Sequence, residues 1–177
     1  MVDIDIKMES KQETKKTEKD KPSLTIIIRI SGLVKVNRDI EEALDRLKLR
    51  RKYAAVLINS NDKNIKGMLD KVKFFVAYGE IDKPTLIKLL KSRAKSIKGE
   101  KVEVKIDAEK VAEEIISGKD LRDLGLKPFF RLHPPRKGIK SKIQYPKGVL
   151  GNNKKDINKL VERMLWWYSK LRKRKNQ

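Results

Sequence analysis

The residue types able to do chemistry are concentrated in one stretch, residues 127–155 (KPFFRLHPPRKGIKSKIQYPKGVLGNNKK). It holds nine Lys or Arg and no Asp or Glu, four of the six prolines, three glycines, two Phe, one Tyr and the only histidine. The chemistry such a set supports is electrostatic rather than covalent. An acid-free basic segment cannot neutralise itself, so it calls for a polyanion. Arg131, Arg136, Lys137, Lys140, Lys142 and Lys147 supply charge, while His133 and Tyr145 supply rings that stack on bases, which points to RNA. Pro134, Pro135 and Pro146 stiffen the backbone and reduce the entropy lost on ordering. Gly138, Gly148 and Gly151 permit positive φ or close approach to a phosphate chain. No helix or strand period runs through the stretch, so it reads as a loop ordered on binding. Phe129 and Phe130 are placed as its anchors on the core.

No catalytic constellation accompanies it. His133 lies between Leu132 and Pro134 among Arg131, Arg136 and Lys137, with no nearby carboxylate to orient it. A lone histidine cannot form HExxH, and without cysteine a structural zinc site lacks its ligands. There is no P-loop and no GxGxxG. The chain is therefore expected to be no enzyme, to need no cofactor or metal, and to take no small-molecule substrate.

The whole composition points the same way. A formal charge of +21 and a pI near 10.1 favour nucleic acid or an anionic membrane. The membrane is the poorer fit: the apolar run Leu24–Ile28 contains a Thr and stops at Arg29, against the roughly 20 residues of a spanning helix. The charged N-terminus has no apolar h-region, which argues against a signal peptide. Absence of cysteine suits a reducing, cytoplasmic setting.

Basic clusters recur outside the stretch. Arg50, Arg51 and Lys52 follow a helix, with more charge than the helix dipole requires, and suit RNA. Lys63 and Lys66 flank a helix N-terminus, where free N–H groups favour phosphate. Arg172 and Arg174 close the last helix. At about 100° per residue, Trp166 falls opposite its apolar stripe and Trp167 on its flank, as a platform for a base or a partner protein.

The elements that must position these groups are legible from periodicity. Residues 1–22 form a charged tail with few large apolar residues. Leu24–Ser31 alternates as a strand with one wholly apolar face, Leu24, Ile26, Ile28 and Ile30. Asn37–Leu49 is a helix with stripe Ile40, Ala43, Leu44 and Leu47, and Asn37 as N-cap. Strand Tyr53–Ile58, helix Asn64–Phe75 and strand Phe74–Ile81 follow. Residues 23–82 thus predict an α+β core, a β-α-β-α-β two-layer sandwich of ferredoxin-like type. Residues 83–126 form a helical insertion with stripes Leu86, Leu89, Leu90 and Ala108, Val111, Ala112, Ile115, and a short strand over Val102–Ile106. After the basic loop, 127–155, residues 156–177 form a C-terminal helix and basic tail, capped by Asp156.

Three segments, RDIEEALDRLKLRRKYAAVLIN, KGMLDKVKFFVAYGEID and FFRLHPPRKG, carry a family resemblance. From about Leu24 to Leu165 the chain resembles the archaeal and eukaryotic form of large-subunit ribosomal protein L-thirty, called L-seven in eukaryotes. The resemblance implies the same sandwich with a helical insertion after its third strand, and a basic segment laid on rRNA. It further implies a structural role in the large subunit, near 5S rRNA and beside other ribosomal proteins. Relatives usually carry Arg where Lys66 stands and Trp where Tyr78 stands; Lys keeps the charge but not the bidentate fork. The rival from another class is an RNA-processing enzyme or a free RNA chaperone.

Overall fold

The computed structural model describes residues 24–34, 36–59, 63–97, 107–139 and 141–165. Its strands are β1 (Leu24–Arg29), β2 (Ala54–Asn59), β3 (Val76–Glu80), β4 (Phe130–Arg131) and β5 (Gly151–Asn152). Its helices are α1 (Arg38–Arg46), α2 (Lys63–Val72), α3 (Lys83–Arg93), α4 (Ala108–Ile116) and α5, residues 157–165, which a 3-10 turn at Lys154–Asp156 introduces. The strands form one sheet in the order β4-β2-β1-β3-β5. β1 is central and antiparallel to both neighbours, with Leu24 opposite Asn59 and Arg29 opposite Val76. β2-α2-β3 is a crossover that straddles β1, the split unit of a ferredoxin-like fold.

The β-branched run Ile26–Ile27–Ile28 suits the central strand of a sheet covered on both faces, and all three side chains are fully buried. Ile27 packs with Leu44, Leu47, Leu69, Val72 and Val76 under α1 and α2. Ile26, Ile28 and Ile30 pack instead against α3, α4, α5 and the loop residues Leu132 and Leu150. The wholly apolar face of β1 is therefore covered by the insertion and the C-terminal helix, which close the α1–α2 sandwich from the other side. The stripes expected for α1, α3 and α4 are buried or half-buried.

Boundaries differ where local geometry overrides period. α1 ends early, because Lys48 adopts φ 58 and the N–H groups of Lys48 and Leu49 bond back to Asp45 O and Leu44 O, which closes the last turn. β3 starts at Val76 rather than Phe74. The Phe75 carbonyl accepts the N–H groups of both Ile30 and Ser31, which turns the chain and leaves the Phe74 ring exposed. Asn37 occupies the α1 N-cap position without a side-chain cap bond. Asp156 does not cap α5 but lies inside the 3-10 turn, held by Tyr145 and Lys159. The strand expected at 102–106 lies outside the described residues.

Two contacts fix α5 to the sheet. The buried Asn158 amide accepts the Asp82 N–H at 3.1 Å and donates to Glu80 O at 3.2 Å and Lys155 O at 3.0 Å. Gly79 lets the 3-10 turn press on β3: a Cβ there would collide with the Lys154 carbonyl and lie 3.1 Å from the Ile157 Cβ.

Candidate nucleic-acid interface

The sheet register divides the expected site residues between its two ends. At one end β1 finishes, β2 begins and Arg131 of β4 pairs with Ala54, which brings the turn Arg50–Arg51–Lys52 beside Arg131. The same end receives His133, whose N–H meets Met164 O at 3.4 Å, and Arg136, whose N–H meets Arg163 O at 3.0 Å. At the other end lie Lys66 near the start of α2, Tyr145, and Lys154 and Lys155 after β5. A six-residue strand separates the ends by about 20 Å. Residues 127–155 cross that span. The sheet pairs through β4 at one end of them and β5 at the other, and Ile139 and Val149 pack on the core between.

The basic stretch is thus not a featureless loop. It contributes both edge strands, and a bridge joins Gln144 to Leu150. Phe130 is 1 % exposed in the larger core cluster, while Phe129 packs half-buried with the residues beneath α1 and α2. Both rings anchor the strap, one on each face of the sheet, as expected. Gly138 does take positive φ, 70°, beside Lys137 at 66°. Gly148 instead admits the backbone of Ile143, so its open side serves the strap itself and not a phosphate.

Two arginines that carried no sequence signal present the basic turns. Arg29, placed by alternation on the mixed face of β1, is 0 % exposed. Its guanidinium donates to Leu49 O at 2.7 Å, Arg50 O at 3.2 Å, Gly32 O at 2.9 Å and Ser31 O at 3.2 Å. Burial lowers its pKa, and the fields of Asp45 and Glu41 oppose the shift. A planar fork with five donors suits this task, which one ammonium could not perform. Arg163 on α5 repeats the device, donating to Arg136 O at 2.9 Å and Gly138 O at 2.6 Å. Each clamp consumes backbone carbonyls and turns neighbouring cationic side chains outward.

Charge segregates over the surface. On the insertion, lysines meet carboxylates: Lys83 with Glu113 at 2.9 Å, Lys91 with Glu109 at 3.7 Å, Lys119 with Glu114 at 3.7 Å. Among the described residues no such ion pair forms at Arg51, Arg131, Arg136, Lys137, Lys142 or Lys147, all exposed. Arg50 is the exception in its turn, 3.7 Å from Asp45, and Lys52 lies 4.9 Å over the Tyr53 ring. His133 is half-buried, and desolvation followed by the Arg93 charge pushes its pKa down, so it is neutral near pH 7 and suits stacking or hydrogen bonding. Lys66 is exposed on α2; Lys63 opens that helix, but its side chain lies outside the described residues. Lys140, Trp166, Trp167, Arg172 and Arg174 also lie outside them. Lys154 and Lys155 were legible as members of the acid-free stretch, yet only the fold puts them beside Lys66. Among the described residues no group of His, Asp and Glu could hold a metal, and no helix is long and apolar enough to cross a membrane.

Comparison with known proteins matches the sequence to a family. The family model described as Ribosomal protein L30p/L7e matches residues 25–76, the span from β1 to the first residue of β3. Large ribosomal subunit protein uL30 of Archaeoglobus fulgidus is 42 % identical over 149 residues, covering 78 % of this chain and 97 % of the relative. The uL30 protein of Desulfurococcus amylolyticus is 39 % identical over 160 residues, covering 80 % and 98 %. That of Hyperthermus butylicus is 38 % identical over 179 residues, covering 89 % and 96 %. With relatives 38–42 % identical and matched over nearly their whole length, the chain belongs to the ribosomal protein L30p/L7e family.

Proposed function

We propose that this chain is a structural constituent of the large ribosomal subunit that binds rRNA through its uncompensated basic strap. The observation that carries the reading is the segregation of charge. Lys83, Lys91 and Lys119 of the insertion pair with its own carboxylates, whereas among the described residues Arg131, Arg136, Lys137, Lys142 and Lys147 of the strap, and Arg51, form no ion pair. Each cation placed on a phosphate releases condensed counterions, a gain that requires no base sequence and no catalysis. Two arginine clamps fix the backbone beneath these cations, so less conformational entropy is lost on binding. The chain would act by holding RNA segments together across about 20 Å of sheet. Residence near 5S rRNA, contacts with neighbouring ribosomal proteins and a cytoplasmic location follow from the family resemblance and belong to this proposal.

A high-salt wash of ribosomes followed by sedimentation distinguishes a core constituent from a passing factor. The chain should remain with the large subunit. Recovery only in the free fraction would instead fit a transient RNA chaperone.

A further inference from the structure

An open groove of about 690 Å³ lies between the start of α2, the end of β3 and the 3-10 turn, at the end of the sheet away from Arg131. Its floor is apolar, formed by Ile58, Ile65 and Leu69. Tyr78 and Tyr145 line it, and Lys66, Lys154 and Lys155 contribute its cationic atoms. We infer that this groove receives one unpaired nucleotide of an RNA, its base against the tyrosine rings and its phosphate among the three lysines. The inference deepens the rRNA-binding reading and rests on it.

Three features favour a nucleotide. The first is size, since pockets for small ligands span roughly 300–1,000 Å³. The second is the combination of rings with cations, because aromatic faces stack on any base while lysines follow the backbone. The third is preorganisation. The Tyr145 hydroxyl donates to Asp156 Oδ2 at 2.8 Å, and Lys159 Nζ meets Asp156 Oδ1 at 2.9 Å, which fixes the ring and occupies that carboxylate. Asn158 ties the base of the turn to Glu80 O, and Gly79 seats the turn on β3. Glu80, the remaining carboxylate of the lining, offers an acceptor to the amino group of a base. An uncharged peptide segment would fill the apolar floor but would leave three lysines without an anion.

The test uses the full chain with deproteinised large-subunit rRNA. Ultraviolet irradiation, digestion with trypsin and mass spectrometry should place a nucleotide adduct on the peptide 143–147, which carries Tyr145, or on 74–88, which carries Tyr78. Tyr145→Leu should weaken binding by roughly five-fold or more, the lower end of one lost stacking contact. Tyr145→Phe, which loses the bond to Asp156 but keeps the ring, should weaken binding less than Tyr145→Leu. Lys155→Gln should weaken binding in low salt. Absence of the adduct, an unaffected Tyr145→Leu, or equal losses for Phe and Leu would each overturn the groove as a nucleotide site. The Arg136→Ala, Lys137→Ala double variant separates the two readings. If it weakens binding while the groove variants do not, only the groove fails; if the wild type does not bind the rRNA, both fail.

Discussion

Replacing Arg29 by Met removes the clamp beneath the Arg50–Lys52 turn while conserving most of the side-chain volume. Four hydrogen bonds from a charged donor disappear, and the carbonyls of Ser31, Gly32, Leu49 and Arg50 lose their partner. Bonds from charged groups contribute about 1.5–3 kcal/mol each, which would total roughly 6–12 kcal/mol taken alone. The guanidinium, however, is fully buried, and removing it recovers a desolvation penalty of several kcal/mol. The difference between the lost bonds and the recovered desolvation nets about 3–5 kcal/mol. For a domain of this length each kcal/mol lowers Tm by about 2–4 °C, so a fall of roughly 6–20 °C is expected. Urea denaturation followed by circular dichroism measures the loss, and rRNA binding by the folded variant should weaken as the turn relaxes. Arg29→Lys should recover only part of either property, because an ammonium has three donors for four acceptors. A stability change below about 1 kcal/mol for Arg29→Met would refute the clamp, since one ordinary hydrogen bond would then exceed all four.

Gly79→Ala should cost about 1–3 kcal/mol in urea denaturation, because a Cβ displaces the Lys154 carbonyl and crowds Ile157; a neutral result would mean the turn moves aside freely. Arg163→Lys keeps the charge but not the fork that holds Arg136 O and Gly138 O, so hydrogen exchange should quicken at the Gly138 amide, now bonded to Pro135 O at 3.0 Å. Unchanged protection there would remove Arg163 from the presentation of the Arg136–Lys137 turn. His133 has a folded pKa below its unfolded value, so the unfolded chain takes up the proton first as pH falls. Its stabilising contribution is present above about pH 6.5 and is lost as pH drops from there through the lower folded value. The single histidine resonance should titrate below the free value, and Tm should fall between neutral and mildly acidic pH in the wild type but less in His133→Gln. A midpoint above the free value would reverse the sign.

Most of the architecture was legible because its elements are long enough to show a period. The stripes Ala43–Leu44–Leu47 and Leu86–Leu89–Leu90 lie in the core as their spacing requires. Which layer would cover which face of β1 was not legible, because Ile27 makes the second face sufficiently apolar to bury as well. β4 and β5 have two residues each, too few for any alternation. The burial of Arg29 was not legible for a related reason: alternation reports the face a side chain takes, not whether carbonyls wait there for a cation. The strap was legible from composition alone, since nine cations without an acid cannot be locally neutral. The pairing of Lys83 with Glu113, 30 residues apart, leaves no local pattern. Nor does the meeting of Lys66 with Lys154, which depends on β5 joining β3.

The dependence of rRNA affinity on salt tests the strap most directly. For the wild type, the logarithm of the affinity should fall linearly with that of the salt concentration, with a slope of about 0.9 for each phosphate engaged on duplex-like RNA. The Arg136→Ala, Lys137→Ala variant should bind more weakly and flatten that slope by up to about 2. An unchanged slope would mean that neither side chain touches phosphate, and would contradict RNA binding through the strap.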